Sequence, residues 1–326
     1  MSTGITKNII GNTSVTEKYE MSSYDDILNI SSAIITLTVP GDIFTNEGND
    51  TVFIVDSTIS GENSCAFYLG QGNDILSIQN STLNTEIFAG SGSDTISIVG
   101  NAQSYVNINN NLNLGEGDDI LEVASSLNGI GNLIFGNGYD ILRFNGGILS
   151  LSGNITGLEN IETTADGGSI ACDLYFDGNE NNVTLAGNIN GTDNQRKLFW
   201  SNTAINLITG SNISTNVAWD ITSSTLAHTD GGSLEFKDVG NYAITADNST
   251  ISLHNVTFSQ SGTGGIFAND ATVSLTHAGF SNNQIGISQT DGTLLLEHSS
   301  LTNHSLCALD LLNTDLTGAD VSFSGN

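Results

Sequence analysis

The sequence predicts an all-β chain folded as a right-handed parallel β-helix, a β-solenoid with coils of about 20–25 residues. One observation is a phrase that recurs as YDDILNI, GNDTVFI, GNDILSI, GSDTISI, GDDILEV and GYDILRF. Its anchoring acids are Asp26, Asp50, Asp74, Asp94, Asp119 and Asp140, at steps of 24, 24, 20, 25 and 21 residues. A second is the alternation after each acid: Leu28/Ile30, Val52/Ile54, Leu76/Ile78, Ile96/Ile98, Leu121/Val123 and Leu142/Phe144 are apolar, and the residue between each pair is mostly polar. That is the mark of a strand with one buried face. The third is a set of apolar columns late in the chain that share one period. Phe236, Phe258, Phe280, Leu301 and Phe323 form one, Ile244, Ile266, Ile287 and Ala308 another, and Ile251, Val273, Leu294 and Leu316 a third, all at steps of 21 or 22. Equivalent strands at such a period, with no helical pattern between them, stack in parallel.

Taken in order, residues 1–23 show little periodicity beyond ITKNII and are expected to cap the stack, since an open solenoid end is an exposed sheet edge. Residues 24–165 form the coils built on the recurring phrase. Four copies place glycines at alternate positions before the acid (Gly70/Gly72, Gly90/Gly92, Gly115/Gly117, Gly136/Gly138), the second keeps Gly48 alone, and the first has none. Such glycines admit φ > 0 and let the chain turn a tight corner. Further strands are expected at 35–39, 66–69, 86–89, 105–108 and 132–135, giving each coil at least two sheet faces. Over 166–220 the period blurs, and the stretch reads as an irregular junction or as lateral loops on the same solenoid. Residues 221–326 resume as three-strand β-helix coils. Because VSFSGN falls within a repeat phrase, these coils are expected to continue in a longer protein.

Composition excludes several classes. The formal net charge is −29, with Lys7, Lys18, Lys197, Lys237, Arg143 and Arg196 as the only Lys and Arg. Such a surface repels nucleic acid and anionic lipid and attracts multivalent cations, so no nucleic-acid partner is expected. No segment is apolar and long enough to insert in a membrane. Cys65, Cys172 and Cys307 lie in unrelated contexts and form neither a metal motif nor a disulfide framework.

The first half resembles the RTX family of calcium-binding bacterial exoproteins, whose nonapeptide is G-G-x-G-x-D-x-U-x with U apolar. GQGNDILS (70–77) and GEGDDILE (115–122) match from the second glycine onward, with Leu76 and Leu121 at U. GLENIETT (157–164) is similar to segments that flank such repeats. This chain departs from the family in having one motif per coil rather than nonapeptides in tandem, so at most one edge can carry metal. The second half is similar to the β-helix of pectin-lyase-like proteins and of polymorphic outer membrane and autotransporter passengers, through GTGGIF (262–267) and FSNN (280–283).

Stacking would set Asp50, Asp74, Asp94, Asp119 and Asp140 in one column about 5 Å apart. Adjacent carboxylates at that distance repel by about 3 kcal/mol at an effective dielectric near 20, so something should neutralise them. Calcium, taking about six to eight oxygens, suits the column, with carbonyls from Gly48, Gly70, Gly72, Gly90, Gly92, Gly115, Gly117, Gly136 and Gly138 completing the set. The alternative is a hydrogen-bonded Asp/Asn ladder without metal. His254, His277 and His298 suggest a loose column suited to a transition metal or a pH-sensitive face. Solvated strand-end side chains are the plainer reading there, because no regular carboxylate accompanies them.

The resulting expectation is a structural or adhesive segment of an exported bacterial surface protein, extracellular, stabilised by calcium, with surface glycans or proteins as partners and no catalytic role. The alternative is a carbohydrate-binding or carbohydrate-active β-helix, a polysaccharide lyase or hydrolase. It would use the Arg196 to His228 region, where Trp200 and Trp219 offer a sugar platform and Asp220, His228 and Asp230 a weak acid–base set. A lateral loop packed on the rod, or a junction between two coil types, is the favoured reading of that stretch.

Overall fold

In the computed structural model the apolar positions of the recurring phrase stack in register. Residues 4–39, 41–61, 65–100, 105–163, 168–170, 174–177, 182–186, 189–191, 196–201, 204–207, 212–228 and 232–326 are described. Among the described residues every regular element is a strand and the pairings are parallel, so the fold is an all-β parallel solenoid. Two compact units divide the chain, Met1–Asp166 and Gly167–Asn326.

In the first unit one coil comprises Ala66–Gln71, Ile75–Gln79 and Thr82–Asn84, and the next Glu86–Ser91, Thr95–Val99 and Tyr105–Ile108. Three strands per coil exceed the minimum of two that the spacing implied. Two inward columns show why the strands stack so regularly. Ile43, Phe67, Ile87, Leu112, Leu133 and Ile155 form one, and Val52, Leu76, Ile96, Leu121, Leu142 and Ile161 the other. None of these side chains is more than 1% exposed, and burying each contributes roughly 1.5–3 kcal/mol. Within residues 1–23, Thr6–Val15 pairs in parallel with Ile27–Leu37 and so covers the next coil as a member of the stack.

Corners are closed by backbone approaching backbone. Gly90 has φ +120°, and a Cβ there would lie 1.9 Å from the Gly70 carbonyl oxygen; at Gly92, φ is +121° and the corresponding distance to the Gly72 oxygen is 2.1 Å. No L side chain fits either place, because both the dihedral and the space forbid it.

The second unit stacks by the same rule with different side chains. Phe236, Phe258, Phe280, Leu301 and Phe323 are in register, as are Ile251, Val273, Leu294 and Leu316. The third column runs Ile244, Ile266, Ile287 and then Leu309, not Ala308. The strand Cys307–Ala319 aligns Cys307 with Ile285, a step of 22, which moves the whole strand one residue beyond the position that a step of 21 gives. Inside this unit the rings of Phe176, Trp200, Trp219, Phe236, Phe258 and Phe280 follow one another at 4.1, 6.4, 5.1, 5.2 and 4.6 Å between centroids. The described strands Lys197–Ser201 and Ala218–Thr222 are paired members of this stack.

Gly90→Ala is expected to destabilise the protein by more than about 3 kcal/mol, whereas Ser97→Ala, on the outer side of a strand, is expected to stay within about 0.5 kcal/mol of the unaltered chain. Urea unfolding measures both. Equal midpoints for the two variants would show that close coil-to-coil approach does not select glycine at this corner.

Candidate functional site

The six corner acids do come together, as a buried column in the first unit. Asp26, Asp50, Asp74, Asp94, Asp119 and Asp140 are at most 2% exposed. In each step the Oδ1 of one aspartate accepts the backbone N–H of the aspartate one coil earlier. Asp26 N donates to Asp50 at 2.7 Å, Asp50 to Asp74 at 2.7 Å, and Asp74 to Asp94, Asp94 to Asp119 and Asp119 to Asp140 at 2.8 Å. These amides sit at corners where the strand ladder is interrupted, and a buried N–H without an acceptor would cost about 1–3 kcal/mol.

The column has distinct ends. Asp26 receives Ile5 N at 2.6 Å and the Ser22 hydroxyl at 2.7 Å on Oδ1, and Ser22 N at 2.6 Å on Oδ2. At the other end Asp140 N donates to Oε2 of Glu159 at 2.9 Å. Glu159 is thus the next rung, a residue that the sequence analysis quoted within GLENIETT without assigning it a place. A second ladder, also missed, flanks the first. Asn49 N donates to Asp25, Asn73 N to Asn49, Ser93 N to Asn73 and Tyr139 N to Asp118, at 2.7–2.8 Å. The signal was present in the Asn or Asp that often precedes the anchoring acid.

Beyond Asp26, each aspartate of the column is left with one oxygen unused. Oδ2 of Asp50, Asp74, Asp94, Asp119 and Asp140 is buried and meets no hydrogen-bond donor; the Thr45 hydroxyl near Asp50 gives its proton to the Leu69 carbonyl. Burial therefore disfavours the charged form more than the Oδ1 hydrogen bonds favour it. It pushes Asp94 up to about 8, Asp74 to about 7 and Asp50, Asp119 and Asp140 to about 6, with neighbouring carboxylates adding to the rise. Burial, helped by the charge of Asp140, also takes Glu159 to about 7.

Carboxylate oxygens are hard donors, the type that calcium takes. The corner glycines allow one coil to approach the next. The carbonyl oxygens of Gly48, Gly70, Gly72, Gly90, Gly92, Gly115 and Gly117 lie against a glycine of the following coil, and Gly136 and Gly138 lie in turn against Gly115 and Gly117. Among the described residues no three His, Cys, Asp or Glu side chains converge as metal ligands.

The region proposed for carbohydrate chemistry looks different from a sugar platform. Trp200 and Trp219 are 1% and 2% exposed, so their rings serve the interior column. His228 is buried, with Nδ1 2.6 Å from the His254 carbonyl oxygen. Asp220 lies 3.9 Å from Lys197 Nζ, and Arg143 is paired with Glu162 at 3.1 Å. Asp230 and Cys172 lie outside the described residues, while Cys65 and Cys307 are free thiols. No helix among the described residues is long and apolar enough to cross a membrane.

Comparison of the chain with protein-family models, with curated proteins and with solved structures finds no match. The likeness to RTX and pectin-lyase-like repeats therefore stands on the motifs alone.

The raised carboxyl pKa values set the sign of a pH dependence. The fold favours the protonated acids, so their stabilisation is complete below about pH 4, where unfolded Asp titrates, and is lost as pH rises through about 6 to 8. In chelator, the thermal midpoint is expected to fall between about pH 5 and about pH 8.5. Asp94→Asn keeps the Oδ1 acceptor and cannot ionise, so it should flatten the profile and raise the midpoint at the alkaline end. Circular dichroism melts read both, and a midpoint that climbs across this interval would contradict the assignment.

Proposed function

We propose that the chain is a structural segment, with an adhesive role, of an exported bacterial surface protein, and that calcium stabilises its aspartate corner. The observation that carries this reading is the repetition of one buried corner: the same acid occupies the same place on consecutive coils, each gripping the amide of the one before. Such a corner repeats one supporting contact along the stack, which suits a spacer built by adding coils. The negative charge of −29 supports an extracellular setting in which divalent cations are plentiful. Partners would then be surface glycans or proteins met along the outer faces.

Asp50, Asp74, Asp94, Asp119 and Asp140 would hold the calcium through Oδ2. The ion would supply the positive charge that a column of ionised carboxyls lacks. What the residues themselves do is independent of the ion. Oδ1 fixes the register of adjacent corners, and the glycines allow the coils to approach. A ligand that binds only the folded state adds stability by mass action, so calcium outside the cell would favour folding after export.

Calcium in place of chelator at about pH 8, where most of the column is ionised, is expected to raise the thermal midpoint by more than about 5 °C. Asp74→Ala with Asp119→Ala should abolish the rise. An unchanged midpoint in the unaltered chain would remove calcium from the account and leave a ladder that works by hydrogen bonds alone.

A further inference from the structure

One corner of the second unit carries imidazole rings on consecutive coils. Asn255, His277, His298 and Asp320 are all in the left-handed region, with φ of 55°, 55°, 47° and 52°. Their backbones repeat the same bond: Asn255 N donates to Thr276 O at 2.9 Å, His277 N to Glu297 O at 3.0 Å and His298 N to Ala319 O at 2.9 Å. Residues that share this geometry on consecutive coils leave the corner in the same direction, and His277 and His298 are exposed. Their rings stack with centroids 5.1 Å apart and planes at 29°. His254, at the end of the strand Thr250–His254, meets the His277 ring edge-on at 4.9 Å.

A further contact prepares one ring for a metal. Nδ1 of His298 lies 3.1 Å from Oδ2 of Asp320. An ionised carboxylate only accepts, so Nδ1 carries the proton and Nε2 of the neutral ring keeps its lone pair. A carboxylate behind an imidazole is the arrangement that orients metal-bound histidines and raises their basicity. We propose that His277 and His298 form a two-imidazole binding site for a transition metal ion of the Zn2+, Ni2+ or Cu2+ class, and that Asp320 positions His298.

The rings stack rather than converge. Metal–nitrogen bonds of about 2.0–2.1 Å would require the two stacked rings to lean toward each other at their outer edges, which exposed side chains can do by rotation about χ1 and χ2. Imidazole selects ions of this class, whereas calcium prefers oxygen, so this site is chemically distinct from the aspartate corner. A bound ion would clip successive coils together, adding binding free energy to the stability of the stack.

The test is isothermal titration of the full chain with zinc chloride, repeated with excess calcium present. A single zinc is expected to bind. His277→Asn and His298→Asn should each weaken it by more than about tenfold and Asp320→Asn by about tenfold, with calcium leaving the affinity unchanged. Asparagine tolerates the left-handed backbone and already occupies this column at Asn255, so these variants keep the fold, which circular dichroism checks. Zinc binding that persists undiminished in the double His277→Asn, His298→Asn variant, zinc displaced by calcium, or no zinc bound by the unaltered chain would each overturn the proposal.

Discussion

The first unit depends on a conflict between two requirements at its corners. Each coil must turn with its backbone buried against its neighbours, and at the turn the amide of the anchoring residue has no strand partner. The aspartate of the following coil supplies the missing acceptor through Oδ1. Placing that acceptor indoors takes the rest of the carboxyl out of water as well, and Oδ2 gains nothing in exchange. A buried carboxylate is costly unless neutralised, which is why protonation state, and not packing alone, sets the stability of this corner.

Glycine and aspartate divide the work there. Close approach brings one carbonyl to where the next coil's Cβ would be, and that approach makes the aspartate-to-amide reach of 2.7–2.8 Å repeatable from coil to coil. The second unit meets its requirements with aromatic rings inside, stacked at 4.1–6.4 Å, and with short polar groups at its turns. There Ser249 Oγ accepts Ser224 N at 3.2 Å, and Asn283 accepts Ser261 N at 2.8 Å. Those neutral acceptors do the task of the aspartates without their charge.

Strands and registers were legible in the sequence wherever a large apolar side chain recurred at a fixed step. Val52 to Leu142 and Phe236 to Phe323 are such cases, because a one-residue slip would turn the whole set outward. Legibility failed where identity at a position was free to change. Glu159 replaces Asp at the end of the ladder, reaching with a longer side chain from a step of 19, and a search for aspartate passes over it. Ala308 and Leu309 are both apolar, so the pattern alone could not choose between them. Trp200 and Trp219 lie where the spacing is irregular, and the residue type that offers a platform outside also fills a core. The left-handed corner at His277, His298 and Asp320 leaves no mark in hydrophobicity, since its side chains face water.

The most direct test of this account reads the carboxyl groups themselves. Carbon-13 NMR of the aspartate side-chain carboxyls in the metal-free protein, followed against pH, reports each protonation state by chemical shift. The account predicts that Asp74 and Asp94 remain protonated through mildly acid solution and titrate at about 7 and about 8, well above the ordinary aspartate value. Titration of both near about 4, the ordinary aspartate value, would mean that the column is hydrated or open, and would contradict a buried ladder as the support of the fold.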